Sequence, residues 1–374
     1  MQSKKLQQLV CILFCGFLAV MTVLYLCLPK ADFSQQEKRY LAKTPELSWK
    51  QLSDGSFATA VDSYMADHIP GRDFFVGLNA YYELLTGRQG SKDVLVAGDN
   101  RIVEAPVTEN PAAVTKNMEI INRFAESAGV PVDLMIVPSA GWAAEESISG
   151  WHAPYSDPEI IAGAYAQCCG SLNPVDMVSV FSATGQSEAL YYKTDHHWTS
   201  AGAYTAYEAY MAATGQIARS RDAFMVEQIP GFRGSTYSRS ALWLTPGESI
   251  ELWHGSGAIT VSHMESETSH NGIFFRERLA EADKYTIFLD GNHSLVRIHN
   301  PEAQNKGSIL VIRDSFGNSL GGFLAESYET VVLADLRYYR HPLSELMAQE
   351  QFDRVLICYS IGNFLTDTNI VWLR

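Results

Sequence analysis

An α/β fold with a parallel central sheet is what this sequence predicts, and three observations predict it. From Gly307 onward, apolar runs alternate with helical spacings: strand 308–313, helix 317–327, strand 330–335, helix 343–350, strand 354–359. Such a series is built of βαβ units, and right-handed crossovers make their strands parallel. A second apolar run, Val130 to Val137, stops at Pro138-Ser139 and reads as a further buried strand. The third observation is Ser315, set between the run Ser308–Ile312 and Phe316-Gly317. A polar residue there occupies the C-terminal tip of a parallel strand, where open α/β sheets bind ligands.

The elements follow in chain order. Leu9 to Leu28 is a run of 20 residues without a charge. At ~1.5 Å per residue it spans a hydrocarbon core of ~30 Å. Lys4 and Lys5 precede it, which keeps the N-terminus cytoplasmic. No Ala-x-Ala site follows, so an uncleaved signal anchor over 1–30 is expected rather than a removed leader. Residues 31–60 are mixed and polar and read as a stalk. The remainder, 61–374, reads as one domain outside the cytoplasm, extracellular or periplasmic.

Apolar residues at helical spacing over 57–87 are interrupted at Asp67-His68-Ile69-Pro70-Gly71-Arg72, where Pro70-Gly71 marks a turn. A hairpin is predicted over 93–105 around Gly98-Asp99-Asn100, and a helix over 111–128 closed by Gly129. A helix near 157–170, a strand near 176–181 and a helix over 200–214 closed by Gly215 follow. Residues 220–300 change character to short strand-like runs (249–253, 258–261, 285–289) and read as a β-rich insertion.

Composition narrows the function. With 374 residues, 47% hydrophobic and 19% charged, the chain can bury a sizeable core. Its net charge of −14, with no basic stripe and no binding motif, gives no reason to expect nucleic acid. Outside the apolar N-terminal run the cysteines are Cys168, Cys169 and Cys358. They leave open one bridge to Cys358 but supply no disulfide framework. No Cys-x-x-Cys or His-Glu-x-x-His is present, so neither a metal nor a cofactor is expected.

The chemistry lies in two segments, Thr194-Asp195-His196-His197-Trp198 and Ile312-Arg313-Asp314-Ser315-Phe316-Gly317-Asn318-Ser319. A serine nucleophile needs a base within hydrogen-bond reach, and the base needs an orienting group. In an extended segment Asp195 and His197 project to the same side, while His196 and His197 point oppositely, so His197 is the expected base. Ser315 alone also reads as a helix cap. Trp198 reads as a buried aromatic or as a platform for a sugar ring.

These motifs resemble the DHHW family, one of the SGNH-hydrolase-like groups related to the alginate O-acetyltransferases. The resemblance extends to Asp67-His68-Ile69-Pro70-Gly71-Arg72, to the block from Lys284-Tyr285 to Gly291-Asn292-His293, to Asp335-Leu336-Arg337-Tyr338-Tyr339, and to the Tyr359–Asp367 tail. It implies an SGNH-like three-layer α/β/α sandwich. It also implies a triad in which Ser315 is nucleophile, His197 base and Asp195 orienter, with Asp-His ahead of the serine. Triads are defined by geometry, not chain order. Asn363 is the implied oxyanion-hole donor. His196, Trp198, Asn292, Arg337 and Tyr338 are candidate substrate contacts. The implied activity is O-acetylation of a cell-surface or secreted polysaccharide, beside a membrane-bound O-acyltransferase that supplies acetyl groups. An acetyl esterase with the same triad and a non-catalytic polysaccharide-binding assembly factor are the alternatives. Two departures stand out. Arg313 occupies the place of the glycine that usually opens the SGNH serine block, and Ala140-Gly141-Trp142 replaces the Lys or Tyr common in relatives.

Overall fold

The structure, a computed structural model, describes residues 2–266 and 268–373. Two compact units divide it: residues up to Ser91 with Ser238–Trp243, and Lys92–Tyr237 with Leu244 onward.

In the first unit, helix Gln2–Cys27 is long and apolar enough to cross a membrane. Helices Ser56–Asp67 and Arg72–Leu85 flank the turn anticipated at Pro70-Gly71, and Gly71 takes the left-handed conformation there (φ 71°). Asp67 accepts hydrogen bonds from Arg39 Nη1 (2.9 Å) and the Ala42 N–H (2.9 Å), and His68 Nε2 donates to the Ala42 carbonyl (2.8 Å). Arg72 donates to Glu37 (3.1 Å). The Asp-His-x-Pro-x-Arg segment is thus a knot that ties residues 37–42 to the helix pair. Trp243 stacks on Phe74 with centroids 5.7 Å apart. It lies so close to Gly77 that a Cβ there would come within 2.1 Å of the indole.

The second unit is built on an eight-stranded sheet. Its order is Ser269–Asn271, Thr260–His263, Leu295–His299, Tyr328–Ala334, Asn305–Arg313, Arg354–Ser360, Val132–Val137, Leu172–Pro174. The last five are mutually parallel, as the βαβ pattern requires. The first three are paired antiparallel, so the sheet is mixed rather than wholly parallel. These three come from the 220–300 segment, which extends the sheet as well as forming a separate hairpin, Met225–Phe232 with Glu248–His254.

Period-2 alternation divides the core between two layers. Met135, Val137, Ile309, Val311, Val331, Leu333, Leu356 and Cys358 pack against helices Met177–Ala183, Ser200–Ala213 and Gly317–Ser327. Leu134, Ile136, Leu310, Ile312, Val332, Val355 and Ile357 face helices Pro111–Ser127, Asp157–Tyr165, Leu343–Gln349 and Ile361–Thr366 on the other side. The three-layer sandwich follows directly. Burial of each such side chain contributes roughly 1.5–3 kcal/mol.

Two expectations are corrected, and the open question of a bridge to Cys358 is answered. Residues 177–183 are helical, because the Asp176 side chain caps the Ser179 N–H (3.1 Å), and the strand lies earlier, at Leu172–Pro174. Residues 284–287 form a 3-10 turn capped by Asp283 rather than a strand. All cysteines are free. Cys358 faces one core layer while Cys168 and Cys169 pack with the other, so the sheet separates them.

Candidate active site

Strand Asn305–Arg313 ends in the middle of the sheet, between two parallel neighbours, and delivers Ser315 at its C-terminal tip. Asp314 holds the turn. Its Oδ1 accepts the Phe316 N–H (3.0 Å), and its Oδ2 accepts the Ser360 N–H (2.8 Å), the Ser360 hydroxyl (2.7 Å) and Asn363 Nδ2 (2.8 Å). One carboxylate thereby joins the serine turn to the end of the adjacent strand Arg354–Ser360. The arginine in place of glycine is accommodated by its neighbour. Arg313 is wholly buried, and a Cβ on Gly317 would come within 2.6 Å of the Arg313 Cβ.

The Asp-His segment is a bend, not a strand. Its base is closed by a bridge between Tyr191 and Trp198 and by the Tyr192 N–H donating to the His197 carbonyl (3.2 Å). Glu248 accepts the N–H groups of Lys193 (2.9 Å) and Thr194 (2.8 Å) and the Thr194 hydroxyl (2.6 Å). Arg101, buried, donates to the carbonyls of Tyr191 (3.1 Å) and Tyr192 (3.0 Å). Asp195 then meets His197 through a local Asx-type turn: Oδ1 accepts both the His197 N–H (2.9 Å) and Nδ1–H (2.5 Å). Asp195 and His197 meet through this bend, not through the alternation of a strand.

The geometry that results is a relay. Ser315 Oγ lies 2.7 Å from His197 Nε2, and His197 Nδ1 lies 2.5 Å from Asp195. With Nδ1 protonated, Nε2 is the acceptor for the serine proton. Asp195 Oδ2 accepts the Ser235 N–H (2.7 Å). Burial alone would push the Asp195 carboxyl up, but the two imidazoles and these donors outweigh it and hold the group well below the usual range. Asp195 therefore stays an anion.

His196 does not point away. Its ring lies 3.8 Å from that of His197, and its Nδ1 meets the Ser235 hydroxyl (2.5 Å). Burial and the neighbouring imidazole lower its pKa. Trp198 is fully buried, edge-on to Phe316, with Nε1–H donating to Ser319 Oγ (2.8 Å). It braces the site from within and offers no face to a sugar. Asn363 commits one N–H to Asp314, leaving its second. Asn292 accepts hydrogen bonds from Arg313 Nη1 (2.9 Å) and Asn318 Nδ2 (3.1 Å). Arg337 grips Asp335 with Nε (2.8 Å) and Nη2 (2.6 Å), and Asp335 in turn pairs with Arg313 (3.3 Å). Tyr338 is exposed, beneath the Arg337 guanidinium at 5.7 Å.

Sequence reasoning passed over three residues. Tyr285 stacks flat on His197, with centroids 3.8 Å apart and planes 7° apart, and its hydroxyl meets Ser319 Oγ (3.2 Å). The only signal for it was its place in the Lys284-Tyr285 block. Gly234 lets the backbone pass against Asp195: a Cβ there would stand 2.1 Å from the Asp195 Cβ. Glu248 carried no signal at all.

Residues 177–334 match the family model of the DHHW proteins. Residues 98–229 match that of the SGNH hydrolase-like domain of the acetyltransferase AlgX. No curated protein sequence matches. Among solved structures, a DHHW family protein from Eubacterium siraeum superposes with a TM-score of 0.64 at 21% identity, covering 75% of this chain and 95% of its own. PatB1 of Bacillus cereus, solved with a sulfonyl adduct, superposes with a TM-score of 0.62 at 20% identity, covering 75% of this chain and 99% of its own. At these identities the likeness establishes the fold.

Proposed function

We propose that this chain, a DHHW-family protein with an SGNH hydrolase-like fold, is an O-acetyltransferase that works through an acetyl-serine on Ser315. The observation that carries the reading is the continuous Asp195–His197–Ser315 hydrogen-bond relay at the tip of a parallel strand. The matched model describes the AlgX domain as an acetyltransferase, which favours acyl transfer over other serine chemistry.

In the first half-reaction, Ser315 Oγ attacks the carbonyl carbon of an acetyl ester while His197 Nε2 takes the serine proton. The tetrahedral intermediate places its negative charge on the former carbonyl oxygen. The Ser315 backbone N–H and the free N–H of Asn363 are its proposed donors. Collapse breaks the bond to the leaving alcohol, which receives the proton from His197. In the second half, an acceptor hydroxyl loses its proton to His197 and attacks the acetyl carbon, and Ser315 leaves with that proton. The anionic Asp195 stabilises the imidazolium in both halves. A sugar hydroxyl as acceptor makes the chain a polysaccharide O-acetyltransferase. Water as acceptor makes it an esterase.

The N-terminal helix is proposed as an uncleaved anchor, with Lys4 and Lys5 cytoplasmic and the catalytic unit outside the membrane. A membrane-bound O-acyltransferase is the proposed source of acetyl groups, His196, Asn292, Arg337 and Tyr338 are the proposed contacts for the acceptor, and no nucleic acid is involved.

The test is intact-mass spectrometry of the detergent-solubilised chain after exposure to an activated acetyl ester, beside Ser315→Ala and His197→Ala. A mass gain of one acetyl group mapped to Ser315, absent in both variants, supports the reading. Oligosaccharide acceptors then separate transfer from hydrolysis. A folded wild type with neither acetyl-enzyme nor ester turnover sinks it and leaves the non-catalytic binding role. Since the Bacillus cereus relative carries a sulfonyl adduct, an aryl sulfonyl fluoride is a second probe of Ser315.

A further inference from the structure

Among the described residues, one cluster beyond the triad brings metal-ligating groups together. His263, Asp290 and His293 each place a ligand atom within 4.8 Å of the others, on the antiparallel side of the sheet. His263 closes strand Thr260–His263, while Asp290 and His293 lie on the turn that enters strand Leu295–His299. All three are partly exposed, so an ion can reach them from solvent.

Each group is already oriented by a second partner. His263 Nε2–H donates to the Leu289 carbonyl (3.1 Å), which fixes the tautomer and leaves the lone pair on Nδ1. Asp290 Oδ1 is held by Arg278 Nε, and its Oδ2 faces His293 Nε2 (3.2 Å). His293 Nδ1 faces Glu265 Oε2 (3.4 Å), while Glu265 Oε1 is held by the Ser294 N–H (3.0 Å). A histidine backed by a carbonyl, and another backed by a carboxylate, is the outer-shell pattern of metal ligands. The turn itself is strained. Leu289, Asp290 and Gly291 are consecutively left-handed (φ 56°, 65° and 81°), a conformation that costs energy at the two residues with side chains.

We propose that His263, Asp290 and His293 bind a zinc-class divalent ion, with Nδ1 of His263, Nε2 of His293 and Oδ2 of Asp290 as ligands and Glu265 orienting His293. Two imidazoles and one carboxylate suit Zn²⁺ and are poor for Ca²⁺ or Mg²⁺, which prefer oxygen. Neighbouring ligands on tetrahedral zinc are ~3.3 Å apart, by the Zn–N length of ~2.0–2.1 Å. The two rings now stack face to face with centroids 3.8 Å apart. Binding therefore turns one ring about χ2, a soft torsion in histidine. The ion's place gives it a structural task. The same turn carries Asn292, the acceptor for Arg313 and Asn318 on either side of Ser315. A metal here clamps that turn to the end of strand Thr260–His263 and so holds Asn292 in place.

The experiment is calorimetric titration of the chelator-treated full-length chain in detergent with ZnCl₂, with X-ray absorption to count imidazole ligands. One Zn²⁺ per chain with two imidazoles is expected, and no heat from CaCl₂. His263→Ala and His293→Ala should each weaken binding by at least about 10- to 100-fold. Residues 289–295 should exchange amide hydrogens more slowly with zinc present. His197→Ala controls for the other cluster, Asp195-His196-His197, and should bind zinc like wild type. Loss in His197→Ala with retention in His293→Ala puts the ion in the triad and overturns the proposal, as does the absence of stoichiometric binding. Should alanine at 293 unfold the sheet edge, His293→Gln keeps a hydrogen-bonding side chain there and decides the matter by the same titration.

Discussion

Replacing Gly234 by alanine probes how tightly the orienting carboxylate is held. The φ of Gly234 is not left-handed, so alanine suits the backbone, and the effect comes from space alone. The added Cβ would stand 2.1 Å from both the Cβ and Oδ2 of Asp195. Carbon–carbon contacts settle near ~3.5–4.0 Å, so the overlap is about 1.5 Å. It involves the root of the side chain, not a flexible end. Either Asp195 swings off His197 or the 233–235 backbone retreats, taking the Ser235 N–H from Oδ2. Overpacking of this kind costs roughly 1–3 kcal/mol, a fall of several degrees in Tm. The catalytic loss should be larger. A base deprived of its oriented carboxylate loses about 10⁴ in kcat in serine proteases, and this variant should approach that figure. The assay is turnover of a chromogenic acetyl ester, with Tm by calorimetry, against Gly163→Ala, where nothing lies within 4 Å of the new Cβ. Wild-type turnover in a folded Gly234→Ala protein would refute both the packing argument and the role of Asp195.

Three further outcomes follow from the same geometry. Tyr285→Phe keeps the ring on His197 and should alter ester turnover only a few-fold. Tyr285→Leu removes a stack worth roughly 0.5–1.5 kcal/mol and should lower kcat up to about 10-fold at unchanged KM; equal behaviour of the two in steady-state assays rules out the stacking role. Cys358, buried between sheet and helices, should resist a thiol reagent until urea is added, and non-reducing peptide maps should show it unlinked, whereas a Cys358 bridge to Cys168 or Cys169 would contradict the sheet placement. The Arg39 guanidinium holds the Asp67 carboxyl at about 2, below its ordinary value. A depressed carboxylate contributes stability above its unfolded pKa and loses it as pH falls through the folded one, so pepsin should nick residues 37–91 increasingly between pH 4 and 2. Asp67→Asn, which forfeits no more than about 2 kcal/mol, should be nicked at pH 4 already.

Much of the scaffold was legible because its signals are local. Helix Gly317–Ser327 and strand Arg354–Ser360 lie within a residue of their predicted bounds, since alternation of short apolar runs with helical spacing leaves little freedom. Residues 177–183 misled because Met177, Val178, Val180 and Phe181 look strand-like, while the deciding feature was one capping carboxylate, Asp176. Likewise 285–289 carried apolar residues for a separate small core with Phe232, Ile250 and Leu252, not for a sheet. Asp195, His197 and Ser315 could be singled out because each sits in a dense polar motif. Their supports could not. Tyr285, Gly234 and Glu248 come from the β-rich segment, where contacts to the Asp195 bend span tens of residues in sequence. Nothing local marks a tyrosine as the one that stacks on a histidine 88 positions away.

Two carboxylates at the site show how the labour is divided. Asp195 accepts three hydrogen bonds, and one of them comes from the His197 imidazole. Asp314, next to the serine, accepts four, and none involves Ser315 Oγ or His197. On the proposed acetyl-serine the hydrogen bond from Ser315 to His197 is gone, so that bond cannot be what keeps the serine in position. Asp314 does so instead, by tying the turn to Ser360 and Asn363 on the adjacent strand and helix. The His197 bend is positioned by Glu248 and Arg101, and its ring by Tyr285. The two halves meet where Phe316 packs on His197 and Trp198, and where Ser319 takes hydrogen bonds with Trp198 and Tyr285. An arginine can stand at 313 because the turn is set by Asp314 and the space over Gly317, and the residue before the aspartate reaches into the core toward Asp335.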